Sequence, residues 1–274
     1  MLKGKSIIVI GDTQCSPHND LSYMSAIGEY IVEKRPDIIV HIGDHFDFPS
    51  LSFYDKGKKA FEGRRLIEDI KAGVEGMERL VAPLRRLQRS QRMYRKKVYQ
   101  PRMVFIPGNH EDRFNRMSND TPELDGFVGM ETINLEQYGW EVHPFLKPVE
   151  IEGIYFVHYL ANPMTGRPYT GTAAAQLKTV GRSFVAGHKQ VLDVAIQPTI
   201  DGSMRIGIIN GACYPHDEAY KGYQGNNHFR GVTVLHEVED GFGLPMFVSL
   251  EYMMKKAKAD GAKLDFIMPV GGPQ

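Results

Sequence analysis

Cysteine is scarce in this sequence, because Cys15 and Cys213 are the only two among 274 residues. Two cysteines so far apart exclude a disulfide framework and a Cys-x-x-Cys metal site, and they favour a reducing compartment. Long apolar runs are lacking as well. The N-terminal MLKGK precedes only four consecutive apolar residues, at 7–10, too few for a signal peptide, and no run approaches the ~20 residues of a membrane helix. These absences predict a cytoplasmic protein with no membrane partner.

An excess of charge of either sign is also missing. Lys and Arg together number 33, and so do Asp and Glu. The net charge therefore gives no indication of nucleic-acid or membrane binding, and any basic patch must be local. Hydrophobic residues make up 42% and charged residues 24% of the chain, which is typical of a soluble globular protein.

Apolar patterns along the chain predict an α/β protein. Strands are predicted at 7–10, 38–42, 103–106, 154–158, 183–186, 206–210, 232–236 and 246–250. Helices are predicted at 20–34, with Asn19 or Asp20 as the N-cap, within 60–97, and at 171–180. The alternation of strand and helix in the first half is typical of parallel βαβ units.

The length suits one large domain. We expect this domain to span 1–250, with a helical and basic elaboration at about 50–100. The tail at 251–274 is expected to be peripheral. No feature of the sequence specifies an oligomeric state.

Polar residues recur where the predicted strands end. They are Asp12, Asp44, Asn109 with His110, His158 and His188. In open α/β sheets, ligands bind outside the carboxyl ends of the strands. A single histidine at a strand end is more often a structural residue, but five strand ends carrying such residues in order predict one metal site.

Five motifs carry a resemblance to a known family. They are GDTQ at 11–14, GDHFD at 43–47, GNHE at 108–111, Val157-His158, and GHKQ at 187–190. The chain resembles the calcineurin-like metallophosphoesterases, with the motifs D-x-H, G-D-x-x-D, G-N-H-[DE], a lone H and G-H-x-H, over residues 5 to 240. Within that family it is most similar to a phage and prophage branch. The resemblance implies a four-layer αββα sandwich, with two central mixed sheets flanked by helices, and two metal ions at the strand rim.

The resemblance also implies roles for individual residues. Asp44 would bridge both metals and Asp12 would bind the first. The second metal would be bound by Asn109, His158 and His188. His110 would give a proton to the leaving group, oriented by Asp47. For Asp47 the alternative is a turn or capping residue before Phe48-Pro49.

These residue types suit phosphoester hydrolysis. Two cations ~3.5–4 Å apart neutralise the phosphate charge, lower the pKa of a bridging water and hold the attacking and leaving oxygens in line. A metal-bound hydroxide would then attack phosphorus. An imidazole paired with a carboxylate can supply the proton that the leaving alkoxide needs.

Two family ligands are replaced, and both belong to the first metal. Gln14 and Gln190 stand where histidines are usual. Their amide oxygens could bind the ion, the site could be weak, or it could be lost; we favour the first two interpretations together. An oxygen-rich site favours Mn²⁺, with Mg²⁺, Ca²⁺, Ni²⁺ and Zn²⁺ as alternatives. His18 and His45 are nearby substitutes, although a loop residue and a supporting or solvent-facing residue are the preferred interpretations.

A basic segment at 83–102 contains eight Lys or Arg residues, two tyrosines and no acid. It is a candidate surface for nucleic acid, and a solvated helix face is an equal alternative. Arg113 follows GNHE and is a candidate for binding substrate phosphate, with a local salt bridge as the alternative. Phe48 stands where the protein-phosphatase branch has Arg, which argues against that branch.

Together these features predict a metal-dependent phosphoesterase. The substrate would be a phosphodiester or phosphomonoester, with nucleotides or nucleic acids favoured. The alternative is a catalytically weakened member of the fold that binds a phosphorylated ligand or a protein partner. Intact His110 and Asp47 favour the enzyme, whereas the paired glutamines favour the binder.

Overall fold

The structure is a computed structural model that describes residues 4–53, 56–218 and 222–262. Within these ranges the strands are β1 Lys5–Ile10, β2 Ile38–His41, β3 Arg102–Phe105, β4 Glu141–Val142, β5 Val149–Ile151, β6 Ile154–Val157, β7 Phe184–Ala186, β8 Asp193–Pro198, β9 Met204–Ile209, β10 Gly231–Glu239 and β11 Phe242–Ser249. The helices are α1 Ser22–Lys34, α2 Leu66–Met93, α3 Asn109–Asp120, α4 Ala173–Val180, α5 Gly222–Asn226 and α6 Leu250–Ala259. None of these helices is long and apolar enough to cross a membrane.

The strands form two mixed sheets. The first has the order β11-β10-β1-β2-β3-β4 and the second the order β5-β6-β7-β9-β8. In the first sheet β1 to β4 are parallel, whereas β10 runs antiparallel to β1. In the second sheet β6, β7 and β9 are parallel and the two edge strands are antiparallel to their neighbours.

Side-chain alternation along the strands builds the layers. In β1, Ile8 and Ile10 pack with the helices on one face, while Ile7 and Val9 pack against the second sheet. On the far face of the second sheet, Phe184 packs with Leu177 of α4. The order helix, sheet, sheet, helix is the predicted four-layer αββα sandwich, with two mixed sheets at its centre.

The C-terminal boundary differs from the expectation of a peripheral tail from residue 251. Residues 250–259 form α6, in which Met253 and Ala257 are buried. Ala257 packs against Ala26 of α1. The core of the domain therefore continues through α6, and residues 263–274 lie outside the described ranges.

Helix α2 begins at Leu66 rather than near residue 60. Gly63 has a φ of 79°, a conformation that interrupts a right-handed helix. Glu68 and Asp69 then occupy the first turn, where carboxylates interact well with the helix dipole. Helix α1 likewise begins two residues later than predicted, at Ser22, with Leu21 at the N-cap position. The Asp20 carboxylate nevertheless accepts the backbone N–H of Ser22 at 2.9 Å.

Candidate metal centre

The carboxyl ends of five parallel strands meet at one rim of the sandwich. From the first sheet, the residues of the site come from the segments that follow β1 and β2 and from the junction between β3 and α3. From the second sheet, they come from the segments that follow β6 and β7. The structure brings the residues of all five motifs together there.

One cluster contains four potential ligands. Single atoms of Asp44, His158 and His188 lie within 4.8 Å of one another. Oδ1 of Asn109 lies 3.0 Å from Nε2 of His158 and 2.7 Å from Nδ1 of His188. These are the residues expected to hold the second metal, with Asp44 shared.

The two histidines differ in charge. Nδ1–H of His158 donates to the carbonyl of Ile42 at 2.7 Å, so Nε2 faces the cluster. Burial opposes its protonation, yet the Asp44 carboxylate raises the pKa of His158 to about 9. The same negative charge of Asp44 would attract a metal cation bound beside Nε2 of His158. Burial and the neighbouring His158 lower the pKa of His188 to about 4, so this ring presents a lone pair at neutral pH.

A second cluster holds the residues expected at the first metal. Asp12, Gln14 and Gln190 are all buried. Within the described ranges, Oδ2 of Asp12 and Oε1 of Gln14 are buried without a hydrogen-bond partner. Burial and the nearby Asp44 raise the pKa of Asp12. A buried acceptor left unpaired costs about 1–3 kcal/mol, a cost that a divalent cation between these oxygens would remove.

Gln190 is oriented by two neighbours. The hydroxyl of Tyr214 donates to its Oε1 at 2.9 Å. The amide of Gln190 also hydrogen-bonds the Asp12 carboxylate, and a carboxylate can only accept, so the amide nitrogen donates. Gln190 in this orientation turns its nitrogen, and not its oxygen, toward Asp12. The donor set as a whole, two carboxylates, two histidines, and the amide oxygens of Asn109 and Gln14, fits divalent cations.

His110 lies beside this cluster. Its Nδ1 is 2.7 Å from the carbonyl oxygen of Asp47 and 3.2 Å from the Asp47 carboxylate. Burial opposes protonation, but Asp44 and Asp47 raise the pKa of His110 to about 9. Nη2 of Arg113 lies 3.1 Å from the opposite ring nitrogen, Nε2. The ring is thus fixed on one side by Asp47 and reached on the other by Arg113, and it is Arg116 that pairs with Asp112.

Glu111 is a residue of the site whose role the sequence analysis missed. Its buried carboxylate accepts the backbone N–H groups of Asp44 and Gly108 on Oε2, at 2.9 and 2.7 Å. Oε1 accepts those of His45 and Phe46 at 2.7 and 2.9 Å. One carboxylate therefore fixes the loop that carries Asp44 and the loop that carries Asn109. The signal in the sequence was its position three residues after Gly108, which is capping-box spacing.

Four residues of the site have a left-handed backbone conformation, which determines the direction of their side chains. Gln14, Asp44, His188 and Gln190 have φ values of 42°, 50°, 66° and 58°. A non-glycine residue in this region costs about 1–3 kcal/mol and persists where the surroundings impose it. Each strand end bends sharply here, which turns its side chain into the rim.

The other nearby candidates are two buried residues, His45 and Cys15, and one exposed residue, His18. His45 is fully buried, and its two nitrogens lie 2.9 Å from Oγ1 of Thr13 and 2.9 Å from the carbonyl of Gly73. His18 is exposed on a loop. Cys15 is buried as expected, and burial raises the pKa of its thiol to about 12, so it remains a thiol at neutral pH.

The basic segment lies away from the rim. Helix α2 approaches the site at Gly73 and Gly76. A Cβ atom added at these positions would collide with Phe46 and Cys15, respectively, which lie next to the ligand-bearing loops. Arg89 follows Gly76 by thirteen residues, about 20 Å along a helix. Beyond the helix, the hydroxyl of Tyr99 donates to the carbonyl of Pro36, at the start of β2. The segment therefore sits at the opposite end of the strands from the site.

Known proteins that are similar to this chain include two phage proteins and one solved structure. Over 189 residues the chain is 28% identical to the Gene 54 protein of Mycobacterium phage D29 and 27% identical to that of Mycobacterium phage L5, covering 67% of this chain and 68% of each phage protein. The solved structure of Yfce, a phosphoesterase from E. coli, is similar at 12% identity with a TM-score of 0.37, covering 89% of this chain and 99% of Yfce.

The family model extends beyond a single motif. Residues 5–170 match the calcineurin-like phosphoesterase family. This range includes Asp12, Asp44, Asn109 and His158, while the fifth motif, at 187–190, lies beyond it and is joined to the others by the fold. The chain belongs to the calcineurin-like phosphoesterase family.

Proposed function

We propose that this protein hydrolyses a phosphodiester or phosphomonoester, with nucleotides or nucleic acids as the favoured substrates. The observation that carries the proposal is the convergence of five strand ends on one rim. There Asp44, Asn109, His158 and His188 offer ligand atoms within a few ångströms of one another, and His110 stands beside them. The family implies divalent metal ions, and these side chains fit them.

The residues divide into two ligand sets. Asn109, His158 and His188 would hold one ion, and Asp12 and Gln14 the other, with Asp44 between them. Gln190 would join Asp12 and Gln14 once its amide turned its oxygen, which now accepts from Tyr214, toward Asp12. Divalent ions bound at this rim would neutralise phosphate charge and lower the pKa of a water molecule. The oxygen-rich first set favours Mn²⁺, with Mg²⁺, Ca²⁺, Ni²⁺ and Zn²⁺ as alternatives.

His110 is suited to protonate the leaving group. In the hydrolysis, a water oxygen bonds to phosphorus while the bond from phosphorus to the leaving oxygen breaks. The leaving oxygen keeps the electron pair of that bond and takes the proton from Nε2 of His110. Since the Arg113 guanidinium can only donate, it would move from its position 3.1 Å from Nε2 when that nitrogen carries the proton. The proton lost by the water goes to solvent, which later restores the proton of His110. Asp47 holds Nδ1 and keeps the ring in position throughout.

A second candidate function is binding without turnover. The bond from Tyr214 to Gln190 favours it, because one of the two glutamine oxygens expected at the first metal already accepts a hydrogen bond. In that case the protein would recognise a phosphorylated ligand or a protein partner. The complete second ligand set and the His110–Asp47 pair favour the enzyme.

A direct assay separates the two. Hydrolysis of bis-p-nitrophenyl phosphate and p-nitrophenyl phosphate is measured with each metal, for the wild type, Asp44→Asn and the exposed-loop control His18→Ala. We expect metal-dependent turnover that His18→Ala retains and Asp44→Asn loses. Equal rates for the wild type and a folded Asp44→Asn protein would show that the rim is not catalytic.

A further inference from the structure

One face of α3 leads away from the site. His110, Arg113, Met117 and Asp120 are spaced by three, four and three residues, so they lie on the same side of the helix. At a rise of 1.5 Å per residue, this face extends about 15 Å from the proton donor. That length is enough for a group the size of a nucleotide.

A cleft of about 650 Å³ lies along this face. Its second wall is the segment that follows Asp47 and includes Ser50, Leu51 and Phe53. The two walls therefore start from the two members of the His110–Asp47 pair. Arg113 lines the cleft and also reaches Nε2 of His110 at 3.1 Å, so the cleft opens where a leaving oxygen would emerge.

The lining is cationic with one aromatic ring. Among the described residues that line the cleft, Lys56, Arg113 and Arg116 are cationic and Asp120 is acidic. Arg116 also pairs with Asp112, whereas no carboxylate in the described part of the chain pairs with Arg113. The Phe53 ring is 78% exposed, and Nζ of Lys56 lies 5.6 Å from its centroid. An exposed aromatic ring beside cations is the arrangement that stacks a base and binds the phosphates next to it.

We propose that this cleft binds the leaving group of the substrate, and that the leaving group is a nucleoside carrying a further phosphate. The inference rests on the proposed function, and it narrows the substrate to an oligonucleotide phosphodiester. The base would stack on Phe53, and the additional phosphate would interact with Lys56, Arg113 and Arg116. The bonds formed and broken are those of the hydrolysis described above.

Short dinucleotides test the charge requirement. Thymidylyl-thymidine is compared with the same compound carrying a terminal phosphate on the 5′ or on the 3′ end. We expect one of the two phosphates, the one on the leaving nucleoside, to raise kcat/KM by about tenfold, as one good ionic contact does. No gain from either phosphate overturns the proposal.

Variants locate the effect in the cleft. Phe53→Ala and the double variant Lys56→Ala/Arg116→Ala should lose the gain while hydrolysing bis-p-nitrophenyl phosphate normally. Arg92→Ala is the matched control, since it removes an exposed arginine at the far end of α2. If the cleft variants treat the dinucleotides as Arg92→Ala does, the cleft is not the subsite.

A binding measurement keeps this proposal separate from the proposed function. The leaving nucleotide, which is thymidine 5′-monophosphate for the dinucleotide phosphorylated at its 5′ end and thymidine 3′-monophosphate for the one phosphorylated at its 3′ end, is titrated into the protein without added metal. We expect Phe53→Ala and Lys56→Ala/Arg116→Ala to weaken its binding by about tenfold or more, whether or not the protein is catalytically active. Binding that is insensitive to both variants overturns the subsite. Binding that depends on them, in a protein that hydrolyses nothing, supports the subsite and contradicts only the enzymatic proposal.

Discussion

The hydroxyl of Tyr214 donates a 2.9 Å hydrogen bond to Oε1 of Gln190. Tyr214 is fully buried and its ring stacks on that of His216, with centroids 4.4 Å apart. A rigid aromatic side chain thus sets the orientation of the amide that replaces a family histidine. We therefore expect Tyr214 to position the proposed first ligand set, with an effect visible in metal binding.

Tyr214→Phe removes this bond, which should allow Oε1 of Gln190 to turn toward Asp12. We expect the free energy of unfolding without metal to fall by about 1–3 kcal/mol, because a buried acceptor loses its donor. Added Mn²⁺ should then stabilise the variant more than the wild type. Urea unfolding with and without Mn²⁺ measures both effects, and Tyr252→Phe, at an exposed tyrosine, is the control. An equal gain from Mn²⁺ in all three proteins would contradict this role.

Restoring the family pattern should strengthen the first site. In Gln14→His/Gln190→His, two imidazoles replace two amides, and imidazole is the better donor for transition metals. We expect calorimetry to show a second Mn²⁺ or Zn²⁺ bound at least about tenfold more tightly than in the wild type. The second ligand set is untouched, so the affinity of the tighter site serves as the internal control. Unchanged affinity for the second ion would mean that these positions do not face a metal.

His110→Ala should show a defect that depends on the leaving group. A nucleoside alkoxide needs a proton, so kcat/KM for a dinucleotide should fall by about 100-fold or more. p-Nitrophenolate is stable as an anion, so hydrolysis of bis-p-nitrophenyl phosphate should fall much less. Comparing the two substrates in His110→Ala and His18→Ala measures this difference. A similar loss on both substrates would exclude proton donation as the function of His110.

Glu111→Gln should be strongly destabilising although it is nearly isosteric. Each oxygen of Glu111 accepts two backbone N–H groups, so either orientation of the new amide directs its N–H₂ toward two donors. Loss of charged hydrogen bonds of this kind costs about 3 kcal/mol or more. Urea unfolding checks the value, with Glu123→Gln at an exposed position as the control. One neutral hydrogen bond contributes about 1 kcal/mol. If Glu111→Gln lowers the free energy of unfolding by less than about 1 kcal/mol more than Glu123→Gln does, the loops do not depend on this carboxylate.

Local patterns predicted the order of strands and helices and the polar rim, whereas the four layers were implied by the family resemblance. The apolar run of β1 and the polar residues after β1, β2 and β6 can be recognised without knowing distant contacts. Glu111 and Tyr214 could not be assigned in this way, since their partners are far away in the chain. The position of the basic segment could not be predicted either. The length and direction of α2 decide which end of the sheet this segment reaches, and the sequence does not specify that direction. The nucleic-acid surface at 83–102 remains a prediction, and its distance from the rim separates it from the leaving-group cleft.

The rim takes Asp12, Asp44 and Asn109 from one sheet and His158 and His188 from the other. An ion bound by residues of both sheets would link the two sheets to each other. Any ligand that binds only the folded state adds to its stability, by about 2.7 kcal/mol at a concentration of 100 Kd. Chelation should therefore speed amide hydrogen exchange in β2 and β6, which face each other across the inter-sheet core. The stability of the folded protein would then depend on the same metal ions that the proposed reaction uses.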